Sequence, residues 1–170
     1  MKILVTGGVR SGKSRHAESL LTGPVSYVAP GPTNDSDPDW VSRIAAHRAR
    51  RPDAWTTVET HDLAAALRLD GPVLVDCLGT WLTAALDSRE LWDASSDSVL
   101  VVVDGLLDEV VAILAARDDV VLVTNEVGLG VVPVHRSGRL FRDLLGLVNQ
   151  RLAATCDEVH LVVAGRVLKL

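Results

Sequence analysis

The chain has 170 residues, 48% of them hydrophobic and 23% charged, a globular balance that excludes a disordered or fibrous chain. Its net charge of −5, from 22 acidic and 17 basic residues, argues against a general binder of nucleic acid or of anionic membrane, so any anion site must be local. No apolar run is long enough to span a bilayer, and the opening MKILVTGG moves straight into a strand and a glycine turn rather than a signal peptide, so the expected location is the cytoplasm.

In chain order, Lys2 to Thr6 is a short β-branched and leucine run ending in a glycine pair and reads as a buried strand. Lys13 to Leu21 reads as a helix closed by Gly23 and Pro24, and Val25 to Ala29 as a second strand. Pro30 to Pro38 is rich in turn formers and reads as a mobile loop. Asp39 is an expected N-cap for a helix running to about Arg50, stopped by Pro52. Trp55 to Val58 is a short strand, and Asp62 can cap a helix from Leu63 to Leu69.

Val73 to Asp76 is a continuous apolar strand ending in a carboxylate, and Leu78 to Leu86 reads as a helix. Ser88 to Ser98 is a polar connection, the second stretch expected to be mobile. Val99 to Ala116 is expected as one long helix, although Val99 to Val103 has strand propensity. Val120 to Thr124 is a buried strand. Arg139 to Ala154 is the clearest helix, with Leu140, Leu144, Leu145, Val148 and Leu152 on one stripe. Val159 to Val163 and Val167 to Leu170 close the chain as strands. Strands alternating with helices predict a single α/β domain over residues 1–170, with a mainly parallel sheet covered by helices on both faces. Cys77 and Cys156 sit in apolar surroundings at no metal spacing and are expected to be buried free thiols.

Gly7-Gly8-Val9-Arg10-Ser11-Gly12-Lys13-Ser14 fits G-x-x-x-x-G-K-[ST] at every fixed position, with a strand before it and a helix after it. Glycines let backbone N–H groups turn inward and approach phosphate oxygens, and the helix start adds the positive end of its dipole. Lys13 would neutralise the terminal phosphates, and Ser14 offers a hydroxyl to Mg2+. These residues predict a P-loop NTPase, and the motif alone leaves kinase, hydrolase, transferase and switch open. A magnesium carboxylate is expected at the end of a second buried strand, where Asp76 fits and Glu126 is a rival.

The segment Arg43 to Arg51 is the densest positive patch in an acidic chain, and His47 lies in its middle. A neutral imidazole can attack phosphorus, and flanking arginines would stabilise the charge that develops. Read on pattern alone, such a face is ordinary solvated surface. His16, His61, His135 and His160 have no comparable cluster.

Several segments together resemble one family. They are TGGVRSGKSRHAE from Thr6, YVA from Tyr27, RIAAHRARRP from Arg43 and WTTVE from Trp55. VLVDCLGTW from Val73, VTNEVGLGVVP from Val123 and FRDLLGLVNQRLAATCDEVHLVVAG from Phe141 complete the set. The chain is similar, collinearly and over nearly its whole length, to the bifunctional adenosylcobinamide kinase/adenosylcobinamide-phosphate guanylyltransferases of cobalamin biosynthesis. The resemblance implies a RecA-like P-loop fold and two reactions. One transfers the γ-phosphate of ATP or GTP to adenosylcobinamide. The other transfers GMP from GTP to adenosylcobinamide phosphate through a guanylylated histidine, for which His47 is the residue at the motif position. It further implies nucleotide contacts from Gly7 to Ser14, from Ala29, Pro30 and Gly31, from Arg48, Ala49, Arg50 and Arg51, and from Glu59 and Asp76. It also implies a homotrimer with nucleotide sites near subunit boundaries. The segment from Asn125 to Arg136 is expected to form part of the active-site wall.

Two positions depart from the family's pattern. Pro30 stands where a threonine is common, which removes a hydroxyl and a backbone N–H. Ala46 stands where a second histidine is frequent. Three other readings are open on the residues. Another small-molecule P-loop kinase would need Lys13, Ser14 and an acid but not His47. A regulatory nucleotide switch would bind nucleotide without turnover, although Thr124-Asn125-Glu126 does not supply an N-K-x-D guanine-reading signature. A RecA-like structural ATPase would call for a longer, more basic chain.

Overall fold

Alternation along the first strand divides the core in two. Ile3 and Val5 belong to one buried cluster and Leu4 to the other, because successive side chains of a strand point to opposite faces. The computed structural model describes residues 1–31 and 38–170. Its strands are β1 (Lys2–Thr6), β2 (Ser26–Ala29), β3 (Thr56–Glu59), β4 (Val73–Asp76), β5 (Val120–Val123), β6 (Glu158–Val163) and β7 (Arg166–Lys169). They form one seven-stranded sheet in the order β3-β2-β4-β5-β1-β6-β7. Every neighbouring pair is parallel except β6 with β7.

The helices are α1 (Lys13–Ser19), α2 (Pro38–Arg48), α3 (Leu63–Leu67), α4 (Leu78–Asp87), α5 (Ser96–Ala115) and α6 (Arg136–Ala153). The larger cluster joins α3, α4, α5 and α6 to one face of the sheet through side chains such as Leu67, Leu82, Leu107 and Leu144. The smaller one sets Ala17 of α1 against Ile3, Val5, Tyr27 and Val123 on the opposite face. The expected mainly parallel α/β layering is therefore what the chain adopts, with unequal cover on its two sides.

Element ends differ from expectation where caps decide them. The helix expected to start after Asp39 begins at Pro38, which suits the first turn of a helix because its missing N–H has no partner there anyway. The rest of the turn-rich loop, residues 32–37, lies outside the described residues. Asp62 caps α3 as expected, its Oδ1 accepting from the Ala65 amide at 2.8 Å. The strand-like Val99 to Val103 is helical: Ser95 caps α5, and Val99, Val103, Leu107, Val110 and Leu114 share its buried stripe. Packing of a continuous apolar face outweighs the β-branched propensity.

The connection from Ser88 to Ser98 is pinned rather than loose. Leu91, Trp92 and Ala94 pack on the core, Trp92 Nε1 donates to Asp87 Oδ1 at 2.5 Å, and Arg136 donates to the Trp92 and Ala94 carbonyls. Both cysteines are free, and each is half-buried rather than fully so.

The fold also assembles a histidine pair that the sequence separates. His16 Nε2 lies 2.8 Å from His160 Nδ1. His160 Nε2 lies 2.7 Å from Glu158 Oε2, which also accepts from Lys169 Nζ at 2.8 Å. Burial, then the neighbouring His160 and Lys169, hold His16 below the ordinary histidine value. The unfolded chain therefore takes up a proton on acidification that the folded chain resists, and stability falls as pH drops below about 6.5. The melting temperature is expected to decline between about pH 7.5 and about pH 5.5, with a shallower slope in His16→Gln. His47, shifted in the same direction, leaves part of the slope in that variant.

Candidate active site

The carboxyl ends of parallel strands, where ligands settle in open α/β sheets, gather the chemistry here. β1 leads into the turn from Gly7 to Gly12. Gly12 has φ 98 and Arg10 φ 55, both in the left-handed region, so the loop doubles back before α1 starts at Lys13. Gly7 has no room for a side chain: a Cβ there would stand 2.4 Å from the Val162 carbonyl oxygen and 2.7 Å from Ser11 Oγ. The loop is tied to its surroundings by Glu126 N–H to the Gly7 carbonyl (3.1 Å) and Gly165 N–H to the Ser11 carbonyl (2.8 Å). Gly7→Ala must push backbone against backbone, so it is expected to destabilise the protein by about 1–3 kcal/mol. Denaturant unfolding checks this, and nucleotide binding should fall with it.

Lys13 is only 8% exposed, and its Nζ donates to the Gly8 carbonyl at 3.2 Å, which curls the ammonium back over the loop. Lys13 and Ser14 open onto a pocket that also meets Ala29 and Gly31 after β2, Glu59 at the end of β3, and Asp76 at the end of β4. From α2 and the turn beyond it come Ile44, His47, Arg48 and Arg51, spaced as one helical face. The sheet thus brings together nine of the residues expected from the sequence: Lys13, Ser14, Ala29, Gly31, His47, Arg48, Arg51, Glu59 and Asp76.

Others stand apart. Pro30 is buried and does not line the pocket. Ala49 is exposed, and Arg50 turns to Glu18 on α1, with its Nη2 3.1 Å from Oε1. Gly7, Gly8, Val9, Arg10, Ser11 and Gly12 form the turn beside the pocket, with the Val9 side chain in solvent. The rival carboxylate Glu126 accepts from the Gly128 amide at 2.6 Å and does not reach the pocket lining.

Tyr27, Thr57 and Thr80 line the pocket without being candidates from the sequence, as does Cys77, expected only as a buried thiol. Tyr27 and Ala29, like Thr57 and Glu59, are two apart on one strand and so share a face. That alternation was the available signal for the first two. Asn125, the first residue of the expected wall segment, also lines the pocket. Beyond it Val127, Leu129, Val131, Val132 and Val134 are exposed, Val131 at 95%.

Electrostatics within the pocket centre on Asp76, whose side chain is 9% exposed. Its Oδ2 accepts from the Tyr27 hydroxyl at 2.8 Å and lies 3.6 Å from His47 Nδ1. Burial holds His47 below the ordinary histidine value and outweighs the opposing pull of Asp76; Arg50 pushes the same way as burial. The imidazole is therefore neutral near pH 7, the state that keeps a lone pair for attack. Burial and Asp76 raise the Tyr27 phenol, so it stays a donor. Arg48 pairs with Glu59, while the Arg51 guanidinium lies 3.4 Å above the Tyr27 ring centroid and donates to Thr57 Oγ1 at 2.7 Å.

The donor set fits a magnesium ion carried in with a nucleotide. Mg2+ takes one or two protein oxygens and completes its shell with phosphates and water, and the Ser14 hydroxyl and Asp76 carboxylate face one pocket. Among the described residues no group of three or more His, Cys, Asp or Glu side chains forms an independent metal cage.

A strand-to-helix glycine turn, a lysine folded over it, and an acid ending a parallel strand one place beyond the neighbouring β5 define a P-loop nucleotide-binding protein. A histidine, His47, lines the same pocket. The chain belongs to the cobinamide kinase/cobinamide phosphate guanyltransferase family, whose model matches residues 3–170.

It is 40% identical over 186 residues to the bifunctional adenosylcobalamin biosynthesis protein CobU of Salmonella typhimurium, covering 100% of this chain and 99% of the relative. It is 40% identical over 187 residues to CobU of Escherichia coli, with 100% and 99% covered. To CobP of Pseudomonas aeruginosa it is 40% identical over 175 residues, with 97% and 94% covered. Among solved structures it is similar to the P4 protein of bacteriophage phi6 in complex with ADP, at 16% identity and a TM-score of 0.47. That match covers 98% of this chain and about half, 53%, of the phage protein.

Proposed function

We propose that this chain is a bifunctional enzyme of cobalamin biosynthesis. It phosphorylates adenosylcobinamide with ATP or GTP and transfers GMP from GTP to adenosylcobinamide phosphate, giving adenosyl-GDP-cobinamide. Full-length membership of the family supports the pair of activities. The observation that carries the transferase half is that His47 shares one pocket with Lys13 and Ser14, where burial holds its imidazole below the ordinary histidine value.

The two reactions need attack at different phosphorus atoms of one triphosphate. The glycine turn and Lys13 hold the phosphate chain, with backbone N–H groups and the ammonium facing the charge that builds up. In the kinase reaction the substrate hydroxyl attacks the γ-phosphorus while these groups hold the chain in line. In the transferase reaction His47 attacks the α-phosphorus, and the substrate's phosphate then displaces the imidazole. Arg48, the last residue of α2, and Arg51, in the turn beyond it, line the pocket with His47 and would meet charge near the α-phosphate. Bound Mg2+, held through Ser14 and Asp76, would neutralise phosphate charge and stabilise the leaving groups.

The test uses pure protein with Mg2+ and GTP labelled at the α-phosphate, followed by denaturing electrophoresis. An acid-labile band with the α-label and none with the γ-label is expected. GTP binding with no band would leave a kinase or switch and make His47 a bystander. The exposed apolar side chains of Val127, Leu129, Val131, Val132 and Val134, next to the pocket wall, support self-association, and the family resemblance leads us to propose a homotrimer working in the cytoplasm. Sedimentation equilibrium at a single subunit mass would overturn the trimer.

A further inference from the structure

An amide sits among the apolar side chains by which α6 packs on the sheet. Asn149 adjoins Val148 and lies one turn from Leu145 and Leu152, all three fully buried. An amide withdrawn from water costs stability unless its polar atoms are bonded, so its partners matter. Both belong to the chain just past β5. The Thr124 hydroxyl donates to Asn149 Oδ1 at 2.6 Å, and Asn149 Nδ2 donates to the Asn125 carbonyl at 3.2 Å. A carbonyl only accepts, so the nitrogen end must face Asn125 and the orientation of the amide is set. We propose that Asn149, outside the pocket, is a positioning residue for phosphoryl transfer. It holds Asn125 in the pocket wall and the carboxyl end of β5 against the phosphate turn; this rests on the enzymatic reading above.

Two backbone bonds carry that hold to the turn. The Thr124 amide donates to the Val5 carbonyl at 2.9 Å and the Glu126 amide to the Gly7 carbonyl at 3.1 Å. The ladder between β5 and β1 thus runs past the ends of both strands into the glycine turn, with Asn125 between these two rungs. Alternation puts the Thr124 side chain on the face of Val120 and Leu122, towards α6, where it is fully buried. The Asn125 side chain lines the pocket. It lies against the first turn of α4: a Cβ on Gly79 would stand 3.1 Å from Asn125 Nδ2. The main chain of Asn125 is therefore confined by α6 and its side chain by α4.

An amide facing a triphosphate site can donate to a phosphate oxygen. Such a donor lowers a barrier only if it is in place before charge moves, since a loose one must be ordered during the reaction. Asn125 carries no charge, so geometry is the whole of its contribution. A peptide free to shift by about 1 Å forfeits it, and a misplacement of that size costs on the order of a hundredfold in rate. Asn149 supplies the fixation from a helix whose fully buried side chains are all leucine or valine.

The kinase reaction is followed with GTP and with ATP on adenosylcobinamide, and melting temperatures are taken on the same samples. Asn125→Ala is expected to lower kcat by about 10- to 100-fold and to move nucleotide half-saturation less. Asn149→Leu, which suits the apolar stripe, is expected to reproduce that loss. The two substitutions together should cost no more than either alone, because Asn149 acts through Asn125. Thr124→Val with Asn149→Leu removes both partners of one bond, so the melting temperature should return towards that of the unaltered protein while kcat stays low. A kcat that recovers with stability would make Asn149 an ordinary packing residue and overturn the proposal. Losses in Asn125→Ala and Asn149→Leu that multiply would overturn it too. Asn125 is partly exposed, so Asn125→Ala leaves the core intact, and an unchanged kcat there would overturn the proposal even if the α6 variants failed to fold. No turnover by the unaltered protein would remove the enzymatic reading and the proposal together.

Discussion

His47→Ala is expected to separate the two activities, abolishing GMP transfer while the kinase reaction continues. The reasoning is one of bonds made. In the proposed kinase reaction the γ-phosphate passes directly to a substrate hydroxyl, held by the glycine turn, Lys13 and Ser14. GMP transfer through a covalent adduct has no first step without the imidazole. Loss of a nucleophile of this kind costs at least about a thousandfold in rate. The ring is half-buried at the pocket wall, its side chain 22% exposed, so its removal leaves the two core clusters untouched. Phosphorylation of adenosylcobinamide and formation of adenosyl-GDP-cobinamide, followed in the same samples, check this. Parallel loss of both products would mean that His47 serves nucleotide binding instead.

Lys13→Ala should do the opposite and remove both activities together. The ammonium is folded over the turn by its bond to the Gly8 carbonyl, and the proposed mechanism gives it to the triphosphate rather than to either acceptor. A single preorganised donor facing transition-state charge contributes about a hundred- to a thousandfold in rate. Both reactions load that charge onto the same phosphate chain, so both should fall by factors of that order. Circular dichroism guards against misfolding, since Lys13 opens α1. A variant that kept either reaction at full rate would show that one of them uses a different phosphate site.

Part of this site could be read from residue order because its parts are local. The glycine turn is eight consecutive residues, and the His47 face repeats at helical spacing within one segment. Asp76 was visible as an acid ending an apolar strand. What the order did not show is proximity created by the sheet. Tyr27 reaches Asp76 only because β2 lies beside β4, and Thr57 joins them only because β3 pairs with β2. The pairing of His16 with His160 arises in the same way, from β6 lying against β1. The connection from Ser88 to Ser98 misled for a different reason: its polar composition hid Leu91 and Trp92, which anchor it to the core. Arg50 belongs to the basic segment, and the resemblance implies a nucleotide contact from it, but its guanidinium pairs with Glu18, on a helix far off in sequence.

The central place of β1 has a consequence for how the protein comes into being on the ribosome. Lys2 pairs with Val120, and Ile3 with Glu158, so the first strand to emerge receives its neighbours last. Until β5 and then β6 have been synthesised, the apolar Ile3-Leu4-Val5 run has no flanking strands and the Gly7 carbonyl has no Glu126 amide. Contacts this distant in sequence slow folding, because loop closure must precede them. The nascent chain is thus exposed to aggregation through its amino-terminal strand for most of its synthesis. Capacity to bind nucleotide should arrive only once β5 and β6 have been made, which makes it a sensitive reporter of sheet assembly.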